Sequence, residues 1–379
     1  MPSKLVENLS PFYVMEVLEH AKKLESEGRD IVHFEVGEPD FITPVEICES
    51  AIESINRGDT KYTESVGIPE LRQKIIHSYN KKYGQDIPYS NVVITSGSSP
   101  AIFMSILSVI NPGDEVIITD PHYACYPQII KIAGGVPKKV RISEKNGFQI
   151  DVAEIKKNIT DKTKAIILNS PSNPTGAILD ADIFKKIAAL GILIISDEIY
   201  HGLEYTKKAD SVYQFTDNAF VINGFSKLYA MTGWRLGYII APEKFIRPLQ
   251  KLQQNLFISP NPFVQKAGIT AIEEASYSTD SMVKEFDERR KLMLGEIKKS
   301  GFKIANDPEG AFYIFLNISQ FASNSYNLSF DILNKSGVAV TPGIDFGDGG
   351  EGYIRLSYAT SKELIVEGVK RLTDYFKSN

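Results

Sequence analysis

Cysteine is nearly absent from this sequence. Cys48 and Cys125 are the only two, with neither CxxC nor metal-type spacing, so reduced cytosolic thiols are expected rather than a disulfide, and nothing calls for a metal. Long apolar runs are missing too. The stretch 190–195, among the longest, is far too short to cross a bilayer, and residues 1–10 lack the basic region and apolar core of an export signal, so a cytoplasmic protein without a membrane partner is expected. There is no block of basic residues: 42 Lys and Arg face 47 Asp and Glu, a net charge of −5, which argues against nucleic acid as a partner and for a small molecule. Internal repeats and low-complexity tracts are also lacking.

What is present is a chain of 379 residues, 43% hydrophobic and 23% charged, enough for a large core and two domains. Ser10 and Pro11 read as an N-cap and first helical position, and Val14, Leu18, Ala21 and Leu24 repeat at helical spacing until Gly28. A short strand is expected at 31–36, then the turn Gly37-Glu38-Pro39-Asp40-Phe41, then helices at 44–56 and 69–83. From residue 91 apolar strands alternate with helices, at 92–95, 115–119, 138–142, 165–169, 192–196, 220–223 and 236–240. That pattern predicts an α/β fold, a mainly parallel sheet covered on both faces, with ligands bound beyond the carboxyl ends of its strands. A charged helix over 281–300 leads into strands at 311–316, 338–340 and 353–356 and a last helix opened by the capping box Thr360-x-x-Glu363. The expected division is 1–45 and 281–379 as a small domain and 46–280 as a large one.

Several strand ends carry unusual residues. Lys227 follows the run 219–222 behind a Gly and a Ser; it is either an ordinary surface lysine or one whose environment lets it lose a proton and form a Schiff base. Arg235, eight residues on, is a fixed cation suited to a phosphate. Ser96-Gly97-Ser98-Ser99-Pro100 ends a strand and opens a helix, with Ser99 as N-cap; it is a plain turn or a phosphate site, and it matches neither a Walker motif nor a dinucleotide fingerprint. Asn169-Ser170-Pro171-Ser172-Asn173-Pro174-Thr175-Gly176 is stiff, with Asn173 offering donor and acceptor and an Asn-Pro bond suited to the cis form. Asp197, after a fully apolar strand, needs a cationic partner such as a protonated pyridine nitrogen, and Tyr200 sits within reach of a phenolate oxygen. Arg355 lies inside an apolar alternating strand and must be paired, either with a bound carboxylate or with a structural Asp or Glu.

Together, and in order, Gly37-Glu38-Pro39-Asp40-Phe41, Tyr62 with Gly67-x-x-Glu70-Leu71-Arg72, the 96–100 loop, Asn173-Pro174-Thr175-Gly176, Asp197-Glu198-Ile199-Tyr200, Ser226-Lys227, Gly233-Trp234-Arg235, Gly310-Ala311-Phe312-Tyr313 and Arg355-Leu356-Ser357 resemble the class I/II aminotransferases of fold type I, and most closely their aspartate aminotransferase-like branch. The resemblance implies a large α/β/α domain with a mixed, mostly parallel seven-stranded sheet, a smaller α/β domain, and a homodimer with shared active sites. It implies pyridoxal 5′-phosphate as cofactor, held by Lys227 as a Schiff base, with the same lysine moving the substrate proton. Asp197 would pair with the ring nitrogen, Tyr200 and Asn173 with the ring oxygen, and Tyr123 would stack on the ring. Ser98, Ser99, Ser226 and Arg235 would hold the phosphate, with Tyr62 reaching in from the second subunit. Gly37, Asn173 and Arg355 would take the substrate carboxylate. Two positions depart from the pattern: Tyr123 stands where relatives often have Trp, and Gly224 where some have Ser. The implied activity is transfer of an amino group from an L-amino acid to a 2-oxo acid, 2-oxoglutarate or pyruvate. A carbon–sulfur β-lyase and a non-enzymatic sensor built on the same domain are the rival readings. The segment 253–262 holds no Arg or Lys and Phe12-Tyr13-Val14 is apolar or aromatic, so neutral or aromatic amino acids are expected to be handled at least as well as aspartate.

Overall fold

Alternation of apolar strands with helices builds one large sheet. In the computed structural model, which describes residues 2–378, a short first strand β1 (Val32–His33) precedes β2 (Val92–Thr95), β3 (Glu115–Asp120), β4 (Val136–Arg141), β5 (Thr163–Asn169), β6 (Leu193–Asp197), β7 (Ala219–Gly224) and β8 (Gly237–Ile240). The seven strands β2 to β8 lie in the order β2-β8-β7-β6-β5-β3-β4. All neighbours are parallel except those of β8, which runs antiparallel to β2 and β7. The sheet is thus mixed and mostly parallel, and each of its seven strands lies within two residues of the expected bounds, whereas the strand expected at 31–36 is shortened to Val32–His33.

These strands read as unbroken apolar runs because both faces are covered. Ile166, Leu168, Ile194, Val221 and Ile240 belong to the core on one face, while Ala165, Ile167, Leu193, Ile195, Phe220, Ile222 and Ile239 belong to the core on the other. Successive residues alternate between the two cores, as the pleat requires, and each large side chain so buried contributes about 1.5–3 kcal/mol.

The remaining strands, β9 (Tyr313–Asn317), β10 (Val338–Ala339), β11 (Thr341–Pro342) and β12 (Tyr353–Ser357), form two smaller sheets. β1 pairs in parallel with β10, and β12 lies between β11 and β9, antiparallel to both. Val32 and Phe34 share a core with Phe286, Met293, Tyr313, Val338 and Ile365, so the N-terminal segment packs with the last third of the chain. No helix among the described residues is long and apolar enough to cross a membrane.

Four local expectations are corrected. The first long helix is Tyr13–Ser26 with Phe12 at the N-cap, not Ser10, and no side chain nearby caps it. Its free N–H groups are taken from afar: Tyr13 N donates to Asp345 Oδ1 at 2.9 Å and Val14 N to Oδ2 at 3.3 Å. The helix after β2 is Ser98–Leu107 with Gly97, at φ 101°, as N-cap in place of Ser99, because the tight strand-to-helix turn needs a left-handed residue. The strand expected from 311 begins at Tyr313, since Ala311 sits at φ 58° and breaks the extended run. The last helix, Lys362–Ser378, has Ser361 Oγ accepting from Leu364 N at 3.2 Å, so Ser361 rather than Thr360 caps it.

Candidate active site

Two strand ends and one mid-strand position deliver the chemistry. Asp197 is the last residue of β6, Lys227 follows β7 by three residues, and Arg355 is the central residue of β12. They line one cavity of about 180 Å³ together with Gly37, Ser98, Tyr123, Asn173 and Tyr200. Eight of the twelve residues singled out in the sequence therefore meet there. The other four do not line it: Ser226 is buried beside Lys227, Ser99 follows Ser98 in the helix, Arg235 borders a neighbouring opening, and Tyr62 is 81% exposed.

Lys227 Nζ donates to Gly37 O at 2.6 Å, which fixes the amine over the cavity. Burial lowers its pKa to about 8; Glu38 and Asp197 oppose that shift, while Arg355 and Arg235 add to it. Asp197 is buried, and loss of water raises its pKa to about 6 despite Tyr126 Oη donating to Oδ2 at 2.5 Å and Ile199 N to Oδ1 at 3.2 Å. A carboxylate held dry with few donors gains most from a cation. Tyr200 Oη and Tyr313 Oη are 2.9 Å apart, which fixes the direction of both phenols.

Arg355 is buried, and its partners decide between the two readings of the sequence. Nη1 donates to Asn173 Oδ1 at 3.0 Å, and Nη2 to Glu35 O at 2.6 Å and Thr341 Oγ1 at 3.1 Å. Its guanidinium lies 4.2 Å from the centre of the Tyr313 ring and 5.1 Å from that of Phe346. No Asp or Glu among the described residues pairs with it, and its Nε is buried without a partner. The structural ion pair is therefore not made, and a buried charged donor is left without a partner in a residue that lines the cavity.

A phosphorylated pyridine aldehyde needs an amine, a carboxylate for the ring nitrogen, donors for a ring oxygen and a cationic cradle for the phosphate. The amine, the carboxylate, a phenol and an amide are supplied by Lys227, Asp197, Tyr200 and Asn173. For the cradle, the free N–H groups of the helix Ser98–Leu107 begin at Gly97, and a Cβ there would lie 2.5 Å from Arg235 Nη2. Only glycine lets the guanidinium approach that helix end, and Arg235 holds it there from a left-handed backbone at φ 54°. The donor set fits the group.

Sequence reasoning missed Tyr126, which lies in the first turn of the helix Cys125–Ile132, just after Tyr123. It also missed the shell of Arg355, namely the Glu35 carbonyl, Thr341 and Phe346, and the remote cap Asp345. Those come from segments far apart in the chain, and no local pattern marks them.

An α/β architecture with a lysine and a buried carboxylate at strand ends, and within a further strand an arginine that lacks an acidic partner, defines a class of cofactor-dependent transferases, and comparison with known proteins places the chain within it. The chain belongs to the class I and II aminotransferases, whose family model matches residues 29–372. It is 45% identical over 379 residues to the (5-formylfuran-3-yl)methyl phosphate transaminase of Methanocaldococcus jannaschii, covering 99% of each chain. Among solved structures it matches the aspartate aminotransferase of Thermus thermophilus with maleate at a TM-score of 0.95 and 33% identity, covering 99% of each chain. It also matches, at a TM-score of 0.92 and 45% identity over 99% of this chain and 100% of the other, a Methanococcus jannaschii protein described as similar in its active site to kynurenine aminotransferases. The chain is an enzyme, a pyridoxal 5′-phosphate-dependent aminotransferase of fold type I.

Proposed function

We propose that this aminotransferase moves an amino group from an L-amino acid to a 2-oxo acid at the cavity under β6, β7 and β12. The observation that carries the proposal is the meeting of an amine of lowered pKa, a dry carboxylate and an arginine with an unpartnered Nε in one cavity. Bound pyridoxal phosphate supplies an aldehyde that reacts with primary amines and a ring that draws electrons from the substrate α-carbon. Lys227 would anchor the cofactor and, when free of it, would take and return the proton at the substrate α-carbon; burial lowers its pKa to about 8, which favours the neutral amine that this needs. Asp197 would hold the ring nitrogen protonated, and Tyr200 and Asn173 would hydrogen-bond the ring oxygen. Tyr123 covers the ring. Ser98, Ser99, Ser226 and Arg235 bind the phosphate. Arg355, with Gly37 and Asn173, receives the substrate carboxylate, which gives the guanidinium the anion that no Asp or Glu supplies.

The same proposal includes a homodimer with shared sites, a large domain over 46–280 and a small one over 1–45 and 281–379, and a cytoplasmic location, for which the two unpaired cysteines speak. Borohydride reduction of the yellow holoenzyme followed by peptide mapping tests the anchor: the label is expected on Lys227 alone, and a label on any other lysine sinks the assignment.

Tyr62 is 81% exposed and does not line its own chain's cavity, which supports a role in the site of a neighbour. In mixed dimers of Lys227→Ala and Tyr62→Ala chains, one site carries both lesions and the other neither. Appreciable activity is expected to return on mixing; mixing that restores nothing contradicts the shared site.

The relatives differ in substrate. One name specifies aspartate, with two carboxylates, and another a furan aldehyde bearing one phosphate. Family membership alone therefore leaves the side-chain preference open.

A further inference from the structure

The polar groups of the cavity come from strand ends and the smaller sheets. The helix Tyr13–Ser26 and the residue before it contribute only Phe12, Val14, Met15 and Leu18. Phe12 meets Tyr123 edge to face at 6.2 Å, so this wall is aromatic as well as aliphatic. Lys227 and Arg355 are the only cations among the lining residues. Arg355 has two of its three nitrogens committed to Asn173, Glu35 and Thr341, which leaves capacity for one anion.

A helix N-terminus beside a cavity attracts anions, and this one would serve a second carboxylate if its N–H groups were free. They are not. The Asp345 carboxylate already accepts from Tyr13 N and Val14 N, and Glu16 adds a second negative charge in the first turn of the helix. Asp345 lies outside the cavity lining, and its carboxylate offsets the positive end of the helix from behind, so that end offers a second carboxylate neither free N–H groups nor net positive charge.

We propose that the site takes amino acids and 2-oxo acids with one anionic group and an uncharged, apolar or aromatic side chain. That side chain rests against Phe12, Val14, Met15 and Leu18, and Asp345, as a positioning residue, caps the helix and so leaves its N-terminus without a free donor for a second carboxylate. The proposal rests on the roles proposed for Lys227 and Arg355. Pyruvate and aromatic 2-oxo acids are then better acceptors than 2-oxoglutarate.

The test is the single-turnover conversion of the bound cofactor, followed by absorbance in the holoenzyme, with alanine, phenylalanine, tyrosine, aspartate and glutamate as donors. Binding of 3-phenylpropionate and maleate, followed by their spectral shifts, gives a second readout that needs no turnover. Phenylalanine and tyrosine are expected to exceed aspartate and glutamate by at least about 10-fold in kcat/KM, and 3-phenylpropionate to bind more tightly than maleate. In Asp345→Asn, which keeps an acceptor for the helix but loses the charge, the ratio of aspartate to phenylalanine is expected to rise by about 5-fold or more. A general loosening of the fold lowers both donors together and leaves that ratio unchanged, which counts against the role of Asp345. Aspartate outrunning both aromatic donors, or maleate binding more tightly than 3-phenylpropionate, overturns the substrate class. Failure of every donor to convert the cofactor instead overturns the assignment of Lys227 and Arg355.

Discussion

Replacing Lys227 with alanine is expected to lower kcat by at least about 10⁴-fold, or about 5 kcal/mol of transition-state stabilisation, while the cofactor still binds without a covalent link. The size follows from the position of the side chain. Its amine bonds to Gly37 O in the same cavity as Asp197 and Arg355, and no other lysine lines that cavity. No neighbour can therefore take over either the anchoring or the proton transfer. Binding survives because the helix end at Gly97, Arg235 and Asp197 do not depend on the lysine. The sign of the pH dependence follows from the lowered pKa. In cofactor-free protein Nζ is protonated below about 8 and neutral above it, so its rate of reaction with an aldehyde is expected to rise with pH and level off past that value. Stopped-flow kinetics of the variant and a pH series on the parent measure both. A Lys227→Ala enzyme within about 100-fold of the parent would show that another base does the work.

Substituting Asp197 with asparagine is expected to lower kcat by about 10²–10³-fold with much smaller changes in KM. Asparagine keeps the shape of the side chain, and its Oδ1 can still accept from Ile199 N while its amide N–H donates to the Tyr126 hydroxyl, so the packing at the end of β6 is preserved. What it removes is the negative charge in a dry site, where a charge near a ring cation counts for more than in water. The ring nitrogen would lose its reason to stay protonated, and the substrate α-carbon its electron sink. A near-normal kcat in this variant rules the role out, and a rise in KM alone would move Asp197 from chemistry to binding.

Much of the fold and the site was legible in the amino-acid order because it is local. The strands β2 to β8 announce themselves as short apolar runs, and helix ends such as Gly84, which closes Pro69–Tyr83 at φ 66°, depend on one residue's backbone freedom. Asp197 and Lys227 could be singled out because a charged residue directly after a buried strand is costly unless it has work to do. The helix starts were misjudged where the capping group was not local. Ser10 looked like a cap, yet the N–H groups of Tyr13 and Val14 are taken by Asp345, more than 300 residues away.

The sequence by itself determined the alternating α/β layout, the residues at the strand ends and the family. Each depends on periodicity, on one residue's conformational limits or on ordered motifs. Only the tertiary structure decided what those residues face. It left Arg355 with no carboxylate and an unpartnered Nε, brought Tyr126 onto Asp197 and Tyr313 onto Tyr200, and closed the helix Tyr13–Ser26 with the charge of Asp345. Those contacts join segments that only chain folding brings together, and the energies of buried charges depend on the whole surrounding shell rather than on neighbours in the chain.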